Sequence, residues 1–185
     1  MSFVFNRRKA TQEAALLLSL AEGKKMPYLK LIKLMYIADR ESIKEHGFPI
    51  SGDAPFALKD GPILSDITNC VRKVACPDEW TVHISTKDKD VELISDPGDD
   101  LLSQYEAAKL TEVFNRYRDW DQWKLRDLTH EFAEYIKNKP GKLSLRQSNP
   151  IPLSDIVEAV GRTADLREIE RNRDEDKYFA SLSRG

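Results

Sequence analysis

Apolar positions recur at intervals of three and four along most of the chain, the spacing of amphipathic helices. Residues 8–22 predict a first helix with Ala10, Ala14, Leu17, Leu18 and Ala21 on one face, ended by Gly23. Leu31, Leu34, Met35 and Ala38 predict a second, long helix that opens near Pro27 and stops at Gly47. A polar passage with Pro49, Gly52, Asp53 and Pro55 follows. Gly61-Pro62 reads as a turn and then a first helical position, leading into Leu64, Ile67, Val71 and Val74 on a third helix broken at Pro77. Two core helices thus bracket a loop dense in Gly, Pro, Asp and Lys.

The period then shortens to two. Trp80, Val82 and Ile84 alternate with polar residues, as do Val91 and Leu93 across the charged turn Thr86 to Asp90, which predicts a β-hairpin. Two strands alone are marginal, and Phe56-Ala57-Leu58 is the expected third. After the turn at residues 96–99, Ser103 and Glu106 form a capping-box signature for a helix with Ala107, Leu110, Phe114 and Tyr117 facing in. Asp121 is placed to cap the next helix, lined by Leu125, Leu128, Phe132 and Ile136. Residues 138–152 read as a basic, proline-bearing connection. Ser154 then caps a short helix with Ile156, Val157 and Val160 inside and Gly161 at its end. From Asp165 to Leu182 the chain is helix-forming but heavily charged, with Leu166, Ile169 and Phe179 as anchors. The fold class is therefore mainly α: a single helical domain over residues 1–164 with a small β-hairpin or short antiparallel sheet, and a charged C-terminal helix or tail over 165–185.

At 185 residues, 41% hydrophobic and 32% charged, the chain can bury an ordinary globular core. Its 29 basic and 31 acidic residues nearly cancel, which argues against nucleic acid as a partner. No apolar run approaches the roughly 20 residues a membrane helix needs. The opening MSFVFNRRKA lacks the basic-then-apolar order of a signal peptide, so a cytoplasmic location with no membrane partner is expected. Cys70 and Cys76 are the two cysteines, at most half a zinc site.

Four pieces of sequence carry a resemblance. They are Lys33-Leu34-Met35-Tyr36 with Ala38-Asp39-Arg40, then His46 through Asp53 (HGFPISGD), then Ala57 through Pro62 (ALKDGP), and finally Leu128-Thr129-His130. In order and spacing they resemble the Panacea domain of the SocA-like antitoxin family of type II toxin–antitoxin systems, over roughly residues 8 to 160. The resemblance implies a bacterial or phage antitoxin that binds a cognate protein toxin encoded by a neighbouring gene. It also implies an alternative, an adaptor that delivers the bound toxin to a protease. In it Lys33, Tyr36, Asp39, Gly47, Gly52, Gly61, Pro62, Thr129 and His130 are the motif positions, with structural roles.

Covalent chemistry is not required for such a role, and no catalytic residue, cofactor or metal is expected. His46, His83 and His130 show no metal-binding spacing. Asp39 reads as a structural carboxylate, tied to loop amides or paired with Lys33. Thr129, His130, Asp39 and Tyr36 are candidates for mutual contact, and a hydrolase built on Asp39, His46 and His130 is a less favoured alternative without a motif behind it. The loop 48–62 is either a partner-binding element or a structural Ω-type loop. The tail is either a solvated helix with Arg171 and Glu175 paired, or a partner-contacting arm. Exposed partner-binding candidates are Asp53, Lys59 and Asp60 in the loop and Arg171 and Tyr178 in the tail.

Overall fold

The computed structural model describes residues 2–74, 78–141 and 147–182. Cys76, Pro77 and the middle of the expected connection over 138–152 lie outside the described residues.

The centre of the fold is the long helix α2, Tyr28–His46. Leu31, Leu34, Met35, Tyr36, Ile37 and Ala38 are all buried on it, so both flanks of the helix are covered. It packs against α1 (Arg7–Ser19), α5 (Gln104–Tyr117), α6 (Gln122–His130) and the strand β3 (Gly61–Leu64). Helix α2 ends as the sequence requires: Gly47 takes the left-handed conformation at φ 78° and its N–H returns to the Ile43 carbonyl. The Ser103–Glu106 capping box opens α5, and Asp121 caps α6 by accepting from Trp123 and Lys124 N–H.

Two small antiparallel sheets flank this bundle. One has the order β1 (Lys25–Pro27), β5 (Asp90–Leu93), β4 (Ile84–Lys87). The other has the order β3, β2 (Pro55–Leu58), β6 (Ser148–Pro150). Here the expectations need correcting. Gly61-Pro62 does not start a helix: it begins β3, with Leu58 opposite Gly61 and Pro55 opposite Leu64. Helix α3 starts later, at Ser65–Val71, which leaves Val74 exposed. The 56–58 segment is a strand but not the third strand of the β4–β5 hairpin, a place that β1 fills with Met26 opposite Val91. Trp80 belongs to the short helix α4, Asp78–Thr81, and Val82 is exposed rather than on the buried face of a strand.

The expected helix through Leu125 and Ile136 is two helices. Phe132, in extended conformation at ψ 130°, separates α6 from α7 (Ala133–Asn138) and turns Ile136 out to solvent. In α8 (Leu153–Ala159) the cap position is Pro152, so Ser154 lies inside the helix rather than ahead of it. Helix α9, Leu166–Leu182, buries Ile169, but Phe179 is exposed instead of anchoring it. Pro27 precedes α2 by one residue and belongs to β1.

The buried side chains form two clusters. The larger joins α1, α2, α3, α5 and α6 around Leu17, Leu34, Ile67 and Leu110. The smaller joins Phe3, Ile43, Ala57, Tyr135, Ile151, Ile156 and Ile169. The second cluster ties the start of the chain and α9 to the end of α2.

Candidate functional site

The passage from Phe48 to Pro62 is held from below by two carboxylates. Asp39, on α2, accepts the N–H groups of Ile50 and Ser51, each at 2.9 Å, and the Ser51 hydroxyl. Asp53 lies within the loop and accepts from Ala54 N–H at 2.6 Å, Asp66 N–H at 3.0 Å and Ile67 N–H at 2.9 Å. It thereby satisfies the second and third N–H groups of α3, whose first, on Ser65, donates to the Ala54 carbonyl and whose own N-cap residue, Leu64, supplies no side-chain cap. Burial pushes the Asp39 carboxyl up to about 6 and the Asp53 carboxyl up to about 7, against the pull of these hydrogen bonds. Between them Gly52 sits at φ 67°, where a Cβ would come 2.7 Å from the Val4 carbonyl oxygen.

A second group of residues meets under the β2–β3 turn. Gly61 has φ 93°, and a Cβ there would lie 2.6 Å from Lys33 Nζ and 3.0 Å from both Thr129 Oγ1 and His130 Cδ2. Lys33 is fully buried and donates to the Pro62 carbonyl at 2.7 Å. Desolvation brings its ammonium down to about 7, partly opposed by Asp60. The His130 ring stacks on Tyr135 at 4.7 Å, and its buried Nε2 has no partner among the described residues. Burial and the neighbouring charges of Lys33 and Arg126 hold the His130 pKa below its usual value. Tyr135 in turn donates to the Leu58 carbonyl at 3.0 Å, which locks α7 to β2.

Glu134 was not singled out by the sequence, yet it joins these elements. Its Oε1 accepts from Tyr36 OH at 3.1 Å and from Arg40 Nε at 2.7 Å, and Arg40 lies 4.2 Å above the Phe132 ring. Burial and the Glu134 charge both raise the Tyr36 pKa, so Tyr36 remains a donor. The signal was available only as an acidic residue four positions after the Leu-Thr-His segment.

The four candidates for mutual contact therefore divide. Thr129 and His130 meet Lys33 and Gly61, Tyr36 meets Glu134, and Asp39 meets the loop. Lys33 is not the partner of Asp39. His46, exposed at the end of α2, packs edge-on to Tyr105 at 4.4 Å, so Asp39, His46 and His130 each engage a different neighbour. Of the expected exposed partner-binding residues, Asp53 is buried and its carboxylate is spent on backbone. Lys59 and Asp60 are exposed at the β2–β3 turn. Arg171 and Tyr178 are exposed two turns apart on α9, with Arg171 3.8 Å from Glu175. Among the described residues no cluster of His, Cys, Asp and Glu has the geometry to hold a metal.

The elements that the loop and its carboxylates tie together are those of a known family. The model of the antitoxin SocA-like Panacea domain matches residues 31–135. The chain belongs to this family. No curated protein and no solved structure matches it. The Panacea match begins on α2 at Leu31 and ends on α7 at Tyr135, so it contains Asp39, Lys33, the loop, Thr129, His130 and Glu134. Helices α1, α8 and α9 lie beyond it, although Leu17 and Leu18 of α1 are part of the same core as the Panacea helix α2.

Proposed function

We propose that this Panacea protein neutralises a cognate protein toxin by binding it directly in the cytoplasm, using the outer face of α9 and the β2–β3 turn. The observation that carries this is on α9. Tyr178 and Leu182, 61% and 60% exposed, stand one turn apart beside the exposed Phe179, on a helix whose buried residue is Ile169. A tyrosine and a leucine spaced four apart form one apolar strip, and Arg171 extends that strip two turns back. Tyr and Arg are prominent among residues that dominate interface energy. Lys59 and Asp60 add a polar, rigidly held turn, the kind of loop that commonly carries binding on a fixed scaffold. Among the described residues no helix is long and apolar enough to cross a membrane.

The test is co-expression with the product of the adjacent gene. Wild type should restore growth and co-elute with that product. Tyr178→Ala with Leu182→Ala should weaken rescue with an unchanged circular dichroism spectrum, and Lys59→Ala with Asp60→Ala should weaken it less. An adjacent product that is neither toxic nor bound overturns the toxin reading. Rescue that vanishes in a protease-deficient host, with binding intact, overturns neutralisation by blocking and favours the adaptor.

A further inference from the structure

A groove of about 970 Å³ runs between the start of α2, the β2–β3 turn, the end of α3, the β4–β5 turn, α6 and the end of α7. Its least exposed wall residues are aliphatic. Ile32 and Ile63 are buried there, and Leu29 and Leu58 are half-buried. Its exposed residues are largely cationic: Lys59, Arg72, Lys89 and Lys139. An apolar floor is thus edged by long basic side chains that reach water.

The charge of this edge is one-sided. Against those four cations, Asp60 is the one acid among the described residues that line the groove. None of the four cations has an ion pair or a side-chain hydrogen bond among the described residues. The whole chain carries nearly balanced charge, so the excess is local to this face. The cations come from four separate elements: the β2–β3 turn, the end of α3, the β4–β5 turn and the residue after α7. Charge supplied from four elements around so large a groove fits a segment with several acids better than one compact anion.

The floor decides between a peptide and a nucleic acid. Bases need open aromatic faces to stack on. The Tyr135 ring is already stacked on His130 at 4.7 Å, and the Trp123 ring carries the Arg126 guanidinium at 5.0 Å. The remaining floor is aliphatic and suits apolar side chains.

We propose that this groove is a docking site for an acidic peptide segment of a partner protein, with apolar side chains of the segment on Leu29, Ile32, Leu58 and Ile63 and its carboxylates on the basic edge. The groove shares Lys59 and Asp60 with the turn assigned to toxin contact, but its chemistry does not depend on the partner being a toxin.

Fluorescence anisotropy of the full chain with a labelled peptide of about ten residues alternating Glu and Leu tests this; extended, such a peptide separates its leucines from its glutamates. The expected result is saturable binding of one peptide per chain that weakens with added salt. A Lys–Leu peptide and a Glu–Ser peptide of the same length should each bind at least about tenfold more weakly. Arg72→Glu with Lys139→Glu, both on exposed positions, should weaken the Glu–Leu peptide at least about tenfold with an unchanged circular dichroism spectrum. Arg171→Glu with Lys177→Glu makes the same change in net charge on α9 and should leave the affinity unchanged. That pair also separates this groove from the toxin-facing strip of α9. Absence of saturable binding overturns the proposal. So do equal binding of the Lys–Leu or Glu–Ser peptide, tighter binding of oligothymidylate than of the Glu–Leu peptide, or equal losses in the two charge-reversed pairs.

Discussion

The Asp39 carboxylate accepts both the backbone N–H and the side-chain hydroxyl of Ser51, twelve residues further along the chain. One side chain on α2 therefore sets the course of the loop. Replacing it with Asn leaves one oxygen for the two backbone N–H groups, sets an NH₂ group against the Ser51 hydroxyl and removes the charge. Asp39→Asn should cost about 1–3 kcal/mol, the usual range when buried donors lose their acceptor. Urea unfolding with an unchanged slope and a lower midpoint is the expected outcome. Stability equal to wild type would mean the loop is held by other contacts.

Gly52 and Gly61 should both resist alanine, but unequally. Both adopt positive φ, at 67° and 93°. At Gly52 the new Cβ meets the Val4 carbonyl carbon and oxygen at 2.8 and 2.7 Å, backbone atoms that cannot swing aside. At Gly61 it meets the end of the Lys33 side chain. Each change should cost more than about 1 kcal/mol, with Gly52→Ala the larger loss. Thermal unfolding of the two variants side by side gives the order.

Lys33 should give the fold a distinctive alkaline dependence. Burial lowers its folded pKa to about 7, below its value in the unfolded chain. Between about pH 7 and 10 the unfolded chain holds more protons at this residue, so the Lys33 contribution to stability rises with pH, by at most roughly 1.4 kcal/mol per unit. Lys33→Met should remove that rise. The measurement is the difference in unfolding free energy between wild type and variant at pH 7, 8.5 and 10. A difference that stays constant with pH would show that the ammonium is not desolvated.

Glu13 predicts the opposite sign. It is fully buried on α1, and neither carboxylate oxygen has a partner among the described residues. Desolvation first, and then the Asp39 charge, push its pKa well up. A raised folded pKa gives stability that is complete below the unfolded value and is lost as pH rises through the folded one. Glu13→Gln should therefore match wild type near pH 4 and melt higher at pH 8. A variant that melts lower at pH 8 would mean the carboxylate gains from its charge.

The helices were legible because their ends carry side-chain or glycine signals that act locally. Gly47, the Ser103–Glu106 box and Asp121 each terminate or cap a helix from within a few residues. The second sheet was not legible. Its strands have three or four residues each, too few to show a period, and β6 reaches β2 from far along the chain. Pro62 looked like a helix start, yet as part of the edge strand β3 it also tolerates the missing N–H. The steps Leu125, Leu128, Phe132 and Ile136 concealed the bend at Phe132, since a chain break in extended conformation does not disturb the spacing of apolar residues. Pairing Lys33 with Asp39 failed on helix geometry. Six residues at about 100° each place them on different sides of α2, and Lys33 meets Pro62 while Asp39 meets Ser51.

The loop is suspended chiefly by main-chain groups: its amides rest on Asp39 and its own Asp53, and Lys33 grips a carbonyl. Main-chain donors and acceptors are present whatever side chain a position carries. The Lys59–Asp60 turn can therefore exchange its side chains without losing the fastenings that shape it. A frame fixed at its base and free at its tip lets the contact chemistry change while the architecture is inherited intact. Variation at those two positions then changes the chemistry of the exposed turn, separable from the residues that keep the chain folded.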